Sequence, residues 1–407
     1  MSMRVVISGC GVVTAAGSEL EPFWTSLMAG ECHIEPLQDF TLPELGQLDG
    51  AVVVLPAADS LPESLDSDRR RARCLELALA AADRAIADAC LSLREDERTR
   101  TGVVFATTMG EERQVGDLSE RRQGSGDDSI DSGFLARSNN HRAAAEIARR
   151  YGLEGPVLLA SVACGSGNAA LAFAYDLIAS GAVDRMIVGG ADTLTRLIYC
   201  GFRRMGALSS SICRPFDKER DGVSFGEGAG ALVLESLDSA LQRGARIRSE
   251  LVGYGISNDA YHVTAPAPHG TGFIQAIEQT LSSTGLCRED IGYVSTHGTG
   301  TAYNDRGEGE ALLHAFGAHA KELPVSSIKS MIGHTNGAAG IIEAVVCTLA
   351  LQRQEVPPTA RLRNPDPEMP LHHVLETGRH QQMEACLSLA AGFGGLNVSL
   401  AFKAFHA

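Results

Sequence analysis

The hydrophobic pattern changes period along the chain, and the order of changes occurs twice. An apolar, β-rich run over residues 4–13 opens it. Residues 72–91 then place apolar side chains every three or four positions, the spacing of an amphipathic helix. Apolar runs follow at 101–107 and 157–164, the latter ending abruptly at Cys164 before a small-residue turn and an apolar helical stretch. Two further runs, 185–189 and 229–234, close the series. The second series has an apolar run at 251–257, a helical pattern at 272–284 and runs at 291–296 and 323–327. A helical stretch at 333–351 and two closing runs, 384–390 and 397–402, complete it. Alternating elements predict an α/β fold with a sheet in each half and helices on both faces. The echo predicts duplication. The charged stretch 243–250, with Gly244, sets the boundary, giving an N-terminal half 1–248 and a C-terminal half 249–407.

Three segments break the pattern. Residues 41–66 are rich in Pro, Asp and Ser, and 113–132 are strongly charged and glycine-bearing; both are expected as surface loops or interface arms. Residues 357–370 read as a polar, proline-rich connector.

Composition narrows the class. With 407 residues, 44% hydrophobic and 21% charged, the chain can bury a large core like an ordinary globular protein. A formal net charge of −15 argues against general nucleic-acid binding and against attraction to an anionic membrane. The N-terminus runs straight into a strand-like stretch with no signal-peptide pattern. The apolar stretch 338–351 carries Glu343 and is too short to span a bilayer, so no membrane insertion is expected. Ten cysteines lie scattered without CxxC pairs or metal-ligand spacing. They read as reduced thiols in the cytoplasm, and no metal site is expected.

Candidate chemistry starts at Cys164, in Val-Leu-Leu-Ala-Ser-Val-Ala-Cys-Gly-Ser-Gly-Asn-Ala-Ala. A cysteine between an apolar run and a helix has the pattern of a nucleophile at a strand-to-helix elbow. The helix N-terminus is expected to favour its thiolate, and flanking glycines let a carbonyl approach backbone N–H groups. A buried structural cysteine is the competing reading. His297, in Ser-Thr-His-Gly-Thr-Gly-Thr, follows the 291–296 run and projects toward the crevice where α/β sheets bind ligands; alternatively it is a surface histidine. Thr299 and Thr301 offer hydroxyls to an amide-bearing ligand, and Asp305 and Glu308 share one face of a helical turn. Lys329 and His334 lie five apart in Val-Ser-Ser-Ile-Lys-Ser-Met-Ile-Gly-His, too far to share a helix face. Lys329 is expected in the turn. His334 is expected at the start of the next helix, whose positive end would keep its imidazole neutral. Phe393, in Ala-Gly-Phe-Gly-Gly-Leu-Asn, is either a swinging aromatic whose N–H serves an oxyanion or a core residue in a tight turn.

Taken in order, Val-Ala-Cys-Gly-Ser-Gly, Arg-Pro-Phe-Asp-Lys-Glu-Arg-Asp-Gly-Val-Ser-Phe-Gly-Glu-Gly-Ala-Gly, Thr-His-Gly-Thr-Gly-Thr, Ser-Ile-Lys-Ser-Met-Ile-Gly-His and Gly-Phe-Gly-Gly span nearly the whole chain. In these motifs the chain resembles β-ketoacyl-[acyl carrier protein] synthases, the elongating Cys-His-His ketosynthases of the thiolase superfamily. The resemblance implies a thiolase-like fold of two duplicated α/β halves in α-β-α-β-α layers. It implies an acyltransferase, a 3-oxoacyl-[acyl carrier protein] synthase, catalysing decarboxylative Claisen condensation of a Cys-bound acyl chain with malonyl-acyl carrier protein. The pathway would be type II polyketide, polyene or fatty-acid synthesis.

By the same resemblance Cys164 takes the acyl group. His297 and His334 promote decarboxylation and stabilise the enolate, and Lys329, with Glu308, sets the charge of the site. Thr299 and Thr301 contact pantetheine. The N–H groups of Cys164 and Phe393 form the oxyanion hole, Phe393 gates the acyl channel, and Asp259 lies on a mobile loop beside it. Met109 lines the pocket. No cofactor is implied beyond the carrier's phosphopantetheine. The implied partners are an acyl carrier protein and a second subunit, either another copy or a ketosynthase-like chain-length factor. Carrier docking would need local positive charge, and Arg69, Arg70, Arg71 and Arg73 form one cluster, Arg203 and Arg204 another. Each cluster reads equally as a solvated helix face.

Two positions depart from the family pattern. Gly165 follows the nucleophile where Ser, Thr or Ala is usual, which is expected to loosen the elbow or enlarge the space beside it. Leu396 stands where Thr is usual. A non-catalytic chain-length-determining or scaffolding subunit is the alternative function, and Cys164 argues against it. An initiating synthase would have asparagine in the role of His334.

Overall fold

The computed structural model describes residues 3–38, 45–56, 59, 72–125 and 138–406. Among these, eleven strands form one mixed sheet. The first half contributes β1 (Val5–Thr14), β2 (Thr101–Ala106), β3 (Val157–Ala160), β4 (Arg185–Asp192) and β5 (Gly228–Ser236). The second contributes β6 (Ser249–Asn258), β7 (Ile291–Ser295), β8 (Pro324–Ser326), β9 (His372–His373), β10 (Ala385–Gly392) and β11 (Leu396–Lys403). The order is β9-β8-β7-β10-β11-β6-β1-β5-β4-β2-β3.

The echo seen in the sequence is a topological repeat. From the middle outward, the first half runs β1, β5, β4, β2, β3 with two antiparallel and then two parallel pairings. The second runs β6, β11, β10, β7, β8 with the same sequence of pairings. The halves are not separate sheets, as the pattern predicted. Val5, Val6 and Ile7 of β1 pair antiparallel with Leu251, Glu250 and Ser249 of β6. Both strands are inner edges at the centre of the molecule, where unpaired backbone groups would be buried without water.

Helices cover and separate the sheet halves. The Arg73–Asp88 and Arg142–Tyr151 helices lie outside the first half, and Thr271–Thr284 and Ala302–Phe316 outside the second. The Ser166–Ala179 and Ala339–Arg353 helices form the layer between. With both faces covered, β1 is buried at every position, which is why it reads as a continuous apolar run. Glycine sets the packing distance on the outer faces: a Cβ at Gly11 would lie 2.1 Å from the carbonyl oxygen of Ala81, and one at Gly255 2.1 Å from that of Ala276.

Two loop expectations need correction. Residues 112–125 form a helix, Glu112–Ser125, invisible to periodicity because its charged sequence carries no apolar stripe. Within 41–66, Asp49–Ala51 is a strand paired in parallel with Phe225–Gly226, so part of that segment is tied to the core; 41–44, 57–58 and 60–66 lie outside the described residues. The strand before Cys164 stops at Ala160 rather than at the cysteine.

Candidate active site

The C-terminal ends of five strands converge on one crevice, the usual position for ligands in α/β sheets. β3 leads to Cys164, β7 to His297, β8 to Lys329 and His334, β10 to Phe393, and β6 to Asp259. A cavity of about 230 Å³ is lined by Cys164, His297, His334, Thr299, Thr301 and Phe393, with Asp259 at its side.

Cys164 sits in a tight turn whose preceding residue, Ala163, has φ +52°, a left-handed conformation uncommon outside glycine. Ser166 ties the turn: its Oγ donates to the Ala163 carbonyl at 2.5 Å and accepts from the Val162 N–H at 2.9 Å. The helix starting at Ser166 does not leave a ready thiolate. Burial pushes the Cys164 thiol up to about 12, and the positive charge of Lys329 opposes this only in part.

The two imidazoles stand at right angles, with ring centroids 5.5 Å apart. Nδ1 of His297 and both ring nitrogens of His334 are buried without a protein partner. Burial, followed by the nearby Lys329 charge, holds both imidazoles well below the usual histidine range, so both are neutral at neutral pH. For His334 the cause is thus desolvation and Lys329, not the helix end expected from sequence. Its backbone is pinned by hydrogen bonds to the Ser224 carbonyl (2.8 Å) and from the Gly226 N–H (3.2 Å).

Below the imidazoles lie four buried ionisable groups, Lys329, Glu343, Glu308 and Asp305. Nζ of Lys329 donates to the His297 carbonyl oxygen and to Oε1 of Glu343, the latter at 2.5 Å. Lys329 opens a one-turn helix, Lys329–Ile332, rather than lying in the turn before it. Its carboxylate partner is therefore Glu343, on the Ala339–Arg353 helix, and not Glu308. Glu308 instead accepts the N–H groups of His297 (2.6 Å) and Gly298 (2.8 Å). Asp305, one turn earlier, accepts those of Thr299 and Gly300 (3.1 Å each) and Phe216 (2.8 Å). The i, i+3 pair thus fixes both ends of the histidine loop. Burial raises Glu308 to about 8 and Glu343 to about 7. Thr299 and Thr301 share a hydroxyl hydrogen bond of 2.9 Å at the cavity wall.

Phe393 rests on Phe202, stacked at 5.3 Å between centroids, in a turn whose Gly394 and Gly395 have φ +92° and +86°. Asp259 holds that turn from the side. Its N–H donates to the Gly395 carbonyl (2.8 Å), and its Oδ1 accepts from Asn397 (2.8 Å). Gly165 does not open space beside the nucleophile, contrary to expectation. A Cβ there would lie 2.8 Å from Cδ2 of Leu396, which fills the volume from the opposite wall.

Other candidates fall elsewhere. Met109 does not line the cavity; half-buried, it packs against the cluster that contains Leu194, Ile198 and Phe225, where hydrogen bonds from the Thr108, Met109 and Gly110 N–H groups to Asp192 hold its segment. Arg73 is not free to dock a partner, since it pairs with Glu227 at 2.7 Å and donates to the Val53 carbonyl at 2.6 Å. Arg69, Arg70 and Arg71 lie outside the described residues. Arg203 and Arg204 are exposed, directly before Met205 at the cavity mouth. Sequence reasoning missed Glu343 as the lysine's partner, although a lone carboxylate in an apolar helix was the signal. Phe202 and Met205 carried none, being ordinary apolar positions of the Arg196–Arg204 helix and its end.

Comparison with known proteins agrees with this geometry. Residues 2–240 match the family described as "Beta-ketoacyl synthase, N-terminal domain", and 248–363 match "Beta-ketoacyl synthase, C-terminal domain". The chain is 38% identical to "3-oxoacyl-[acyl-carrier-protein] synthase 2" of Synechocystis sp., covering 99% of this chain and 98% of that one. Among solved structures it superposes on "The ishigamide ketosynthase/chain length factor" with TM-score 0.93 and 35% identity, each chain fully covered. A second, a type II PKS acyl-carrier protein in complex with its ketosynthase bound to the hexaketide, gives TM-score 0.89 and 31% identity, again with each chain fully covered. The likeness extends through both halves and the crevice between them, and the chain belongs to the β-ketoacyl synthase family.

Proposed function

We propose that this chain is a ketosynthase that loads an acyl group onto Cys164 and extends it with a malonyl unit delivered by an acyl carrier protein. The observation that carries the reading is the convergence of one thiol and two neutral imidazoles with unpartnered nitrogens on a single cavity. In the first step the Cys164 sulfur attacks the acyl thioester carbon. The new C–S bond replaces the old one, and the carrier thiol leaves with the proton. In the second step the malonyl carboxylate leaves as CO2. His297 and His334 hydrogen-bond the thioester oxygen on which enolate charge develops. The enolate carbon attacks the Cys164-bound carbonyl, forming the C–C bond, and the sulfur departs and regains a proton. The backbone N–H groups of Cys164 and Phe393 bind the oxyanion of each tetrahedral intermediate, and Phe393 shields the acyl chain. Burial and the charge of Lys329 keep the imidazoles neutral, Glu343 balances the lysine, and Glu308 positions the His297 loop. This chemistry calls for no metal and no cofactor other than the carrier's phosphopantetheine, which Thr299 and Thr301 would contact.

Arg203 and Arg204, exposed at the mouth, are the proposed contacts for an acidic carrier. The second subunit, a further copy or a chain-length factor, would add to the outer strand β3, where Leu158 is exposed. The likeness to a type II PKS ketosynthase supports a type II polyketide pathway, and the likeness to a 3-oxoacyl-[acyl-carrier-protein] synthase 2 supports fatty-acid synthesis beside it. Free thiols at all ten cysteines suit the cytoplasm, and among the described residues no helix is long and apolar enough to cross a membrane. Mass-tagged acyl transfer from a cognate carrier protein tests the reading: an adduct on Cys164 is expected. No adduct on the wild type would overturn it, and full product formation by Cys164→Ala would favour the non-catalytic alternative.

A further inference from the structure

We infer that Gly165 and Leu396 act as one steric unit that selects acyl groups unbranched at the α-carbon; this rests on the reading of Cys164 as acyl acceptor. Gly165 has φ −78° and ψ −2°, a conformation open to any residue. Its lack of a side chain is therefore a matter of space, not of backbone freedom, and the space is taken by Leu396. The backbone of Leu396 is held in place: it is paired on one side with Gly392 and on the other with Asn258, so its Cα position is fixed by the sheet. The half-buried Leu396 side chain packs against the core and lines the cavity it shares with Cys164.

An acyl group on Cys164 places its α-carbon two bonds from the sulfur, beside the residue on which Leu396 packs. The isobutyl group is thus an apolar wall for the first carbons of the chain. A linear saturated chain or a flat polyene passes along such a wall. An α-methyl branch needs volume that Leu396 occupies.

The probes are the butanoyl and 2-methylbutanoyl thioesters of N-acetylcysteamine. In each acylation the Cys164 S–C bond forms, the probe's S–C bond breaks, and N-acetylcysteamine leaves as the free thiol. Intact-protein mass spectrometry gives both acylation rates. The wild type should prefer butanoyl, and Leu396→Ala and Leu396→Val should each reduce that preference, by about tenfold for alanine. Gly165→Ala should slow both reactions by pushing Leu396 into the cavity. Adding Leu396→Ala to it should restore butanoyl transfer, a non-additive pair. An unchanged preference in both Leu396 variants, or an equal loss of both reactions in folded protein, would show a merely structural contact and overturn the inference. A wild type that accepts neither probe from N-acetylcysteamine or carrier protein would instead overturn the proposed function.

Discussion

Glu343 and Lys329 form an ion pair with both side chains almost wholly buried, and the two partners are not equivalent. Glu343 already sits at about 7, so a proton can neutralise it cheaply when the lysine is gone. Among the described residues, Lys329 without Glu343 keeps the His297 carbonyl as its hydrogen-bond partner. Glu343→Leu should therefore cost about 3–5 kcal/mol of stability by urea unfolding at neutral pH, and Lys329→Met distinctly less. Equal losses would contradict this asymmetry. Cys164 offers a second test. With its thiol raised to about 12, the neutral form dominates at neutral pH. Its alkylation by iodoacetamide should then rise about tenfold per pH unit between about pH 7 and 9 without a plateau. Cys164, His297 and His334 were legible because each sits in a small-residue turn after an apolar run. The lone carboxylate Glu343 was visible in its apolar helix, but its pairing with the lysine was not, since the direction in which Nζ reaches depends on how the Lys329–Ile332 turn joins the following helix.

Among the elements, the Ala339–Arg353 helix explains both a success and a failure of pattern reading. Every residue from Ala339 to Leu351 is buried, so it shows as a long apolar run without a polar face. The Glu112–Ser125 helix is the opposite case, polar enough to pass for a loop. The central helix meets its partner through glycine: a Cβ on Gly340 would lie 2.8 Å from the backbone nitrogen of Asn168, and one on Gly167 2.7 Å from that of Ile341. The Cβ on Gly340 would also lie 2.1 Å from Oδ1 of Asn168, and while that side-chain end could turn, the two backbone nitrogens could not. Gly340→Ala should thus cost about 1–3 kcal/mol in chemical denaturation, despite alanine's better helix propensity. Which helix Gly340 faced was set by the tertiary fold alone.

At the scale of the molecule, a net charge of −15 must be reconciled with the proposed acidic carrier, and among the described residues Arg203 and Arg204 are an exposed pair of cations beside the cavity mouth. Arg203→Glu with Arg204→Glu should raise KM for carrier-bound substrate several-fold, with little change in acylation by small thioesters, and the difference should shrink at high salt. The repeat of strand order was legible because each half keeps the same alternation of periods. The joining of the halves was not, because a three-residue pairing between β1 and β6 leaves no trace in either pattern.

That joint has a further consequence. The thiol comes from one half of the chain and both imidazoles from the other, so neither half alone holds the set. Before the halves dock, the thiol lacks the imidazoles that complete its chemistry. Turnover thus reports correct assembly, and a misdocked molecule should stay silent instead of acting on the wrong thioester. Two fragments divided near Gly244, each inactive alone, would make a conditional enzyme whose output measures how well they find each other.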